Sequence, residues 1–188
     1  MRFLTDFADQ AVLLPLAFAV TLVLAVTGWR RAAWVWALMV VVGFGSVLML
    51  KLLALCVPPL AAFDIRSPSG HTAGAAMVYG GLAALLPIAV RARLLIAAVV
   101  VLAVGVSRLV LGTHTPAEVI LGGLLGVAAL AAFCRLVGPA PTGLAVWRGL
   151  ALAVLVGAAF HGRHIAAETS IRAAAYRLAV CVPDQARP

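Results

Sequence analysis

The sequence predicts an all-α, polytopic membrane protein built as a bundle of six transmembrane helices. Of its 188 residues, 65% are hydrophobic and only 11% are charged, whereas soluble domains contain roughly 45–50% apolar and about 25% charged residues. The mean hydropathy is high, at +1.15. The apolar residues form blocks of spanning length, since a helix needs roughly 20 such residues to cross the hydrocarbon core. We therefore expect one membrane domain over residues 1–188, multi-pass in a cell membrane, taken to be a bacterial inner membrane.

Six candidate spans follow one another, separated by short polar or proline-containing breaks. They run over approximately 11–28, 34–57, 71–90, 94–111, 115–137 and 143–160. The first span is expected to remain uncleaved, because Asp6 and Asp9 precede it where a signal peptide carries basic residues. The less apolar tail, 161–188, is either a short interfacial helix or a disordered end.

The charged residues separate between the two ends of these spans. The turns after spans one, three and five carry arginine and no acid, whereas every acidic residue falls on the opposite side. Cytoplasmic loops of membrane proteins are enriched in Lys and Arg. We therefore expect the arginine end to face the cytoplasm and the other end to face the outer, periplasmic side.

The net charge of +8 does not indicate a nucleic-acid partner. The 14 basic residues are scattered between apolar blocks, whereas nucleic-acid-binding proteins gather them on one face or in a tail. In a membrane protein such a surplus sets topology and contacts anionic headgroups. Membrane lipids are thus the expected partners, and the sequence does not indicate an oligomeric state.

Four polar clusters interrupt the apolar pattern at span ends, where charged groups are costly and therefore candidates for function. They are Lys51, the run Arg66-Ser67-Pro68-Ser69-Gly70-His71, the pair Ser107-Arg108, and the run His114-Thr115-Pro116-Ala117-Glu118. With six spans, all four clusters lie at the same membrane face. Their convergence predicts a site at that face.

The cations and the helix start in these clusters suit a phosphate group. Lys51 and Arg108 are able to bind its oxygens, and Arg does so with a planar fork. Snorkelling to the headgroups is the simpler alternative for Lys51. Ser69-Gly70 opens a helix, whose first N–H groups bind anions, and Gly70 permits close approach of the backbone.

The two histidines of the clusters provide a nucleophile and an acid. Glu118 follows His114 by four residues and is placed to orient its imidazole, as in hydrolase triads. The run from Thr115 to Glu118 also fits a capping box, a second role for Glu118 that is compatible with the first. The sequence holds no carboxylate cluster for a metal pair, so we expect neither a metal nor another cofactor.

In their order and spacing, Lys51, Pro68-Ser69-Gly70-His71 and Ser107-Arg108-x5-His114-x3-Glu118 resemble the signature of the type 2 phosphatidic acid phosphatase family (PAP2, the lipid phosphate phosphatases). That family shares its site with vanadium haloperoxidases, and the resemblance covers about residues 51–126. It implies a helix bundle of the acid phosphatase–vanadium haloperoxidase type.

The resemblance also implies a role for each residue. His114 would attack phosphorus and form a phosphohistidine, His71 would protonate the leaving lipid alcohol, and Glu118 would orient His114. The phosphate oxygens would be held by Lys51, Ser69, Gly70 and Arg108.

The sequence departs from the family pattern at two positions. The first motif of the family has an arginine before its proline, where this chain has Pro58-Pro59, and Arg66 is the nearby candidate to replace it. Glu118 stands where the family usually has Asp. Its extra methylene displaces the carboxylate, and about 1 Å of misplacement costs roughly a hundredfold in rate.

These observations favour metal-independent hydrolysis of a phosphomonoester or diphosphate on a lipid. Candidate substrates are an isoprenyl diphosphate, phosphatidic acid, phosphatidylglycerol phosphate and a lipid A phosphate, among which the sequence does not choose. Two alternatives stay open. One is a phosphotransferase that passes the phosphoryl group to a second lipid, and the other is a non-catalytic lipid-phosphate binder or transporter.

Overall fold

A computed structural model describes residues 1–56, 67–138, 146–163, 169–171 and 173 of the chain, and every regular element in these ranges is helical. The helices are α1 (Arg2–Asp6), α2 (Gln10–Val26), α3 (Arg30–Cys56), α4 (Gly70–Leu85), α5 (Val90–Val110), α6 (Pro116–Leu136) and α7 (Val146–Phe160). The predicted all-α class is confirmed. Most of the predicted tail, 161–188, lies outside the described residues.

Four described segments are long and apolar enough to cross a membrane, and they indicate a membrane protein. They are Arg2–Val26, Arg30–Ala54, Val90–Val110 and Pro116–Leu136. The count of six spans is not confirmed, because α4 has 16 residues and α7 has 15. At a rise of 1.5 Å per residue, α4 is about 24 Å long, shorter than a hydrocarbon core of about 30 Å.

Helix α4 ends earlier than the apolar run that predicted it. Its last residue is Leu85, and Leu86 takes an extended conformation with ψ 141°. Pro87 follows, and the residue before a proline is disfavoured in the helical region. The predicted span over 71–90 therefore stops about one turn short.

Helix α4 lies in the interior of the bundle, in contact with α2, α3, α5 and α6. Glycines of α6 let this helix approach it closely: a Cβ atom on Gly122 would overlap the carbonyl of Ser69, and one on Gly126 would overlap that of Ala73. Their spacing is the small-xxx-small pattern of closely packed membrane helices. Gly122 thus sets the distance between the starts of α4 and α6, where the polar clusters lie.

Arginines of the predicted cytoplasmic turns lie at the opposite end of the bundle from those clusters. Arg31, in the first turn of α3, donates from Nε to the Leu136 carbonyl at 2.9 Å, and Arg93, in the first turn of α5, donates from Nη1 to the Ala84 carbonyl at 3.1 Å. Both acceptors lie at the last residues of α6 and α4. Among the described residues, this end of the bundle carries arginine without acidic residues.

The N-terminal segment packs against α4 and α5, which the sequence did not predict. Thr5 and Ser107 share a hydrogen bond of 2.7 Å between their hydroxyls, and the Tyr79 hydroxyl donates to the Phe7 carbonyl at 2.6 Å. Ala8 is fully buried against α4 and α5. The turn between α1 and α2 is therefore held beside the clusters.

Candidate active site

Ser67 connects the three motif segments at one end of the bundle. The Lys51 ammonium donates to the Ser67 hydroxyl at 2.6 Å, and the Ser67 N–H donates to Glu118 Oε1 at 2.7 Å. Lys51 is only 7% exposed, so its ammonium lies inside the bundle and does not snorkel to the headgroups. No role for Ser67 is predicted from the sequence, because a serine beside a proline carries no distinctive pattern.

His114 and Glu118 form a close pair at the start of α6. The distance between His114 Nδ1 and Glu118 Oε2 is 2.8 Å. An ionised carboxylate only accepts hydrogen bonds, so the proton of a neutral His114 lies on Nδ1 and the lone pair lies on Nε2. The pair therefore fixes the tautomer in which Nε2 is able to act as a nucleophile.

The surroundings of His114 favour its neutral form. Burial lowers the pKa of His114 below its usual value of 6.5, and the charges of Arg108 and Lys51 act in the same direction. The hydrogen bond to Glu118 and the charge of its carboxylate oppose them without reversing the shift. A nucleophilic histidine needs this neutral state, since only an unprotonated Nε2 attacks phosphorus.

Glu118 performs both of the interactions that its position predicted. Its Oε2 also accepts the N–H of Thr115 at 3.2 Å, and the Thr115 hydroxyl accepts the N–H of Glu118 at 3.3 Å, which completes the capping box. His114 directly precedes the N-cap residue, so a carboxylate that caps the helix also lies beside the imidazole. In this chain a Glu side chain, one methylene longer than the Asp usual in the family, forms the hydrogen bond to His114.

Ser69 and Gly70 form the start of α4. The Ser69 hydroxyl caps the helix by accepting the Thr72 N–H at 3.4 Å, and the Ser69 N–H donates to the Glu118 carbonyl at 3.0 Å. Ser69 is fully buried. A Cβ atom on Gly70 would lie 3.9 Å from Lys51 Cε, an ordinary contact. The helix start that the sequence predicts to bind an anion thus lies beside the lysine.

Arg108 brings a buried donor to the same end of the bundle. Its Nε atom is inaccessible to solvent and has no hydrogen-bond partner among the described residues. Asp9 and His114 both interact electrostatically with Arg108. A buried donor without an acceptor is costly, and an anion would remove that cost. Its neighbour Ser107 bonds instead to Thr5 and to the Val104 carbonyl.

His71 faces a carboxylate that the sequence assigned to no site. Its Nε2 lies 3.7 Å from Asp9 Oδ2, and the side chains are 23% and 8% exposed, respectively. In the sequence, Asp9 indicates only an uncleaved first span and the acidic end of the spans. An acid at the predicted site face, immediately before a helix, was the signal available, but nothing in the spacing linked it to His71.

One predicted site residue lies outside the described residues. Arg66, the candidate replacement for the missing arginine of the first motif, belongs to the segment 57–66 that the structure does not describe. The same holds for Pro58, where that arginine is expected. Within the described ranges, no group of three or more His, Cys, Asp or Glu residues is arranged to hold a metal ion.

Two histidines and two cations at one end of a helical bundle are groups suited to a phosphate. The family model of the PAP2 superfamily matches residues 51–141. This segment of the chain belongs to the PAP2 superfamily, which confirms the resemblance and indicates phosphatase-type activity, the hydrolysis of a phosphoric ester. No curated protein and no solved structure matches the chain.

Proposed function

We propose that the protein is an integral membrane lipid phosphate phosphatase, which hydrolyses a lipid phosphomonoester or diphosphate through a phosphohistidine on His114. One observation carries this proposal: His114 is hydrogen-bonded to Glu118 at 2.8 Å at the bundle end that also holds Lys51 and the buried Nε of Arg108. A nucleophile in a fixed tautomer beside two phosphate-binding cations supports attack on phosphorus.

In the first step, the lone pair of His114 Nε2 attacks phosphorus while the bond from phosphorus to the lipid oxygen breaks. The leaving oxygen takes its proton from His71, and the imidazolium of His114 is stabilised by Glu118. The transition state spreads negative charge over the equatorial oxygens of the phosphoryl group. Lys51, Arg108 and the first N–H groups of α4 are placed to stabilise that charge.

In the second step, water attacks the phosphohistidine and the bond between nitrogen and phosphorus breaks. His71, now neutral, accepts the proton of the attacking water, and inorganic phosphate leaves. His114 recovers its lone pair, and both histidines return to their starting states. The cycle consumes one water molecule and requires no metal or other cofactor.

A lipid substrate is supported by the position of the site in the bundle. The groups that we propose to bind phosphate lie at or near helix ends in a bundle with four segments long and apolar enough to cross a membrane, and such a position supports a site near the lipid headgroups. Large apolar side chains are exposed along α5 and α6, among them Leu102 and Leu124, and acyl chains would contact such faces. The arginines at the opposite bundle end favour a site on the outer, periplasmic side.

The test is phosphate release by the purified protein from a panel of lipid phosphates in the presence of EDTA. We expect release from at least one lipid, and loss of release in His114→Ala at unchanged thermal stability. Appearance of a phosphorylated second lipid would identify a phosphotransferase. Binding of the lipids without any release would identify a binder or transporter and would contradict the proposal.

A further inference from the structure

The N-terminal segment, residues 1–9, contacts the candidate site from outside the part of the chain that matches the superfamily. That match covers residues 51–141. Nevertheless, Thr5 shares a hydrogen bond with Ser107 of the third motif, and Asp9 lies 3.7 Å from His71 of the second motif. The segment that matches the superfamily, residues 51–141, therefore does not contain every group at the candidate site.

The Asp9 carboxylate is fixed by its own helix. Its Oδ1 accepts the N–H of Ala11 at 2.8 Å and caps α2, while Oδ2 is the oxygen nearest to His71 Nε2. Asp9 is 5% exposed, so solvent weakly screens its interaction with the imidazole. A buried carboxylate that caps a helix has little freedom to leave its position.

The arrangement repeats the one around His114. Glu118 caps α6 and contacts His114, and Asp9 caps α2 and faces His71. Arg108 also interacts electrostatically with Asp9. Asp9 thus interacts both with the imidazole expected to supply a proton and with a cation expected to bind the phosphate.

We infer that Asp9 is a positioning residue for His71, an inference that rests on the proposed function. Its carboxylate holds the imidazole near the leaving oxygen and offsets its positive charge until the proton is transferred. The proton moves from His71 to the lipid oxygen as the bond to phosphorus breaks, and Asp9 itself neither gains nor loses a proton. Because kcat/KM reports the steps up to the transfer of the phosphoryl group to His114, the effect of Asp9 on kcat/KM depends on whether the leaving group needs a proton.

Leaving-group dependence separates this role from a structural one. The leaving group of dodecyl phosphate is an alkoxide, which must be protonated. The leaving group of p-nitrophenyl phosphate is a phenolate, which is stable without a proton. In Asp9→Asn the side chain remains a good N-cap but loses its charge. We expect kcat/KM for dodecyl phosphate to fall by about tenfold or more, part of the 10²–10⁴-fold typical of general acid catalysis, and kcat/KM for p-nitrophenyl phosphate to change by less than about twofold.

Three further variants complete the experiment. Asp6→Asn removes a carboxylate three positions earlier and should leave both substrates unaffected. Asp9→Glu restores the charge and should recover part of the loss. In a His71→Ala background, Asp9→Asn should have no further effect, because coupled residues are not additive. If Asp9→Asn is unstable, Asp9→Ser, which keeps a capping oxygen, replaces it.

Two results would overturn the inference while leaving the proposed function in place. One is an equal loss of activity on both substrates in Asp9→Asn, and the other is an Asp9→Asn variant as active as Asp6→Asn. If the unaltered protein releases phosphate from neither substrate nor from the lipid panel, the proposed function fails and the inference fails with it.

Discussion

The two histidines of the candidate site are held in different ways. His114, just before α6, is hydrogen-bonded at 2.8 Å to Glu118 in the first turn of that helix, whereas His71 of α4 lies 3.7 Å from Asp9, the N-cap residue of α2. The His114 side chain is 10% exposed and that of His71 is 23% exposed. The difference fits a division of labour: a nucleophile needs one tautomer and one direction, while a proton donor has to follow the leaving oxygen.

The largest expected effect on the difference between the two histidines comes from removing the nucleophile. We expect His114→Ala to lower kcat for phosphate release by a factor on the order of a thousand or more, as for nucleophiles of other hydrolases. His161→Ala is the matched control, because His161 contacts the rings of Phe3 and Phe7 and lies outside the site. An alanine variant at position 114 with substantial activity would exclude His114 as the nucleophile.

Neutralising Glu118 tests the tighter of the two pairs. Gln is suited to the same place in a capping box, so Glu118→Gln should preserve the start of α6 while removing the charge that supports the His114 imidazolium. We expect kcat to fall by roughly a hundredfold or more, following the loss seen when a triad carboxylate is neutralised. Because an amide has one acceptor oxygen, Gln cannot accept both the Ser67 N–H and the Thr115 N–H, so we also expect a loss of stability of about 1–3 kcal/mol.

The variant Glu118→Asp restores the residue that the family usually has at this position, and its kinetics test whether the longer Glu side chain is needed. Because the capping box and the 2.8 Å contact are formed by Glu, we expect the shorter side chain to lower kcat as well. An Asp variant as active as the unaltered protein would show that the longer side chain is not needed for the alignment of His114.

The spacing between the two pairs is set by the contact of α6 with α4. Gly122→Ala would push a methyl group into the Ser69 carbonyl, whereas a Cβ atom on Gly123 would lie 3.7 Å from Thr72 Cγ2, an ordinary contact. We expect Gly122→Ala to destabilise the protein by about 1–3 kcal/mol, the usual cost of overpacking, and to reduce activity. Thermal unfolding in detergent compares the stability of Gly122→Ala with that of the control variant Gly123→Ala. Equal stability of the two variants would contradict the close contact between Gly122 and the Ser69 carbonyl.

The smallest expected effect is on the pH profile. His114 is active when neutral, and burial lowers its pKa below 6.5. Activity should therefore persist as the pH falls through 6.5 and be lost only as it passes through the lowered pKa. The acidic limb of kcat/KM against pH measures this for the free enzyme. Removing the Glu118 charge should move the limb to still lower pH, and a limb above pH 6.5 would contradict the assignment.

The difference between the pairs also explains what the sequence could predict. His114 and Glu118 are four residues apart, on either side of the predicted N-cap residue Thr115, so a capping box at that position already predicts that they lie close together. Asp9 and His71 meet only because α2 and α4 pack together, and an acid before a helix has the same pattern whether or not it faces a site. Ser67 was overlooked for the same reason, since its contacts with Lys51 and Glu118 are tertiary.

The fold was predictable to a similar extent. Long apolar blocks predicted the helices and placed the polar clusters at one end of the bundle. The span count was less predictable, because α4 is interrupted by Pro87 within an apolar run and is enclosed by other helices. A helix buried in protein does not need the length or the apolar surface that lipid requires of an exposed one.

The most direct test of the account is to identify the residue that carries the phosphoryl group. His71→Ala is incubated with p-nitrophenyl phosphate, whose leaving group needs no proton, so the first step proceeds while the second lacks its base and the intermediate accumulates. Rapid quenching and peptide mass spectrometry then locate the phosphate. We predict phosphate on His114 and none in the His71→Ala/His114→Ala double variant. Phosphate on any other residue would contradict the central claim.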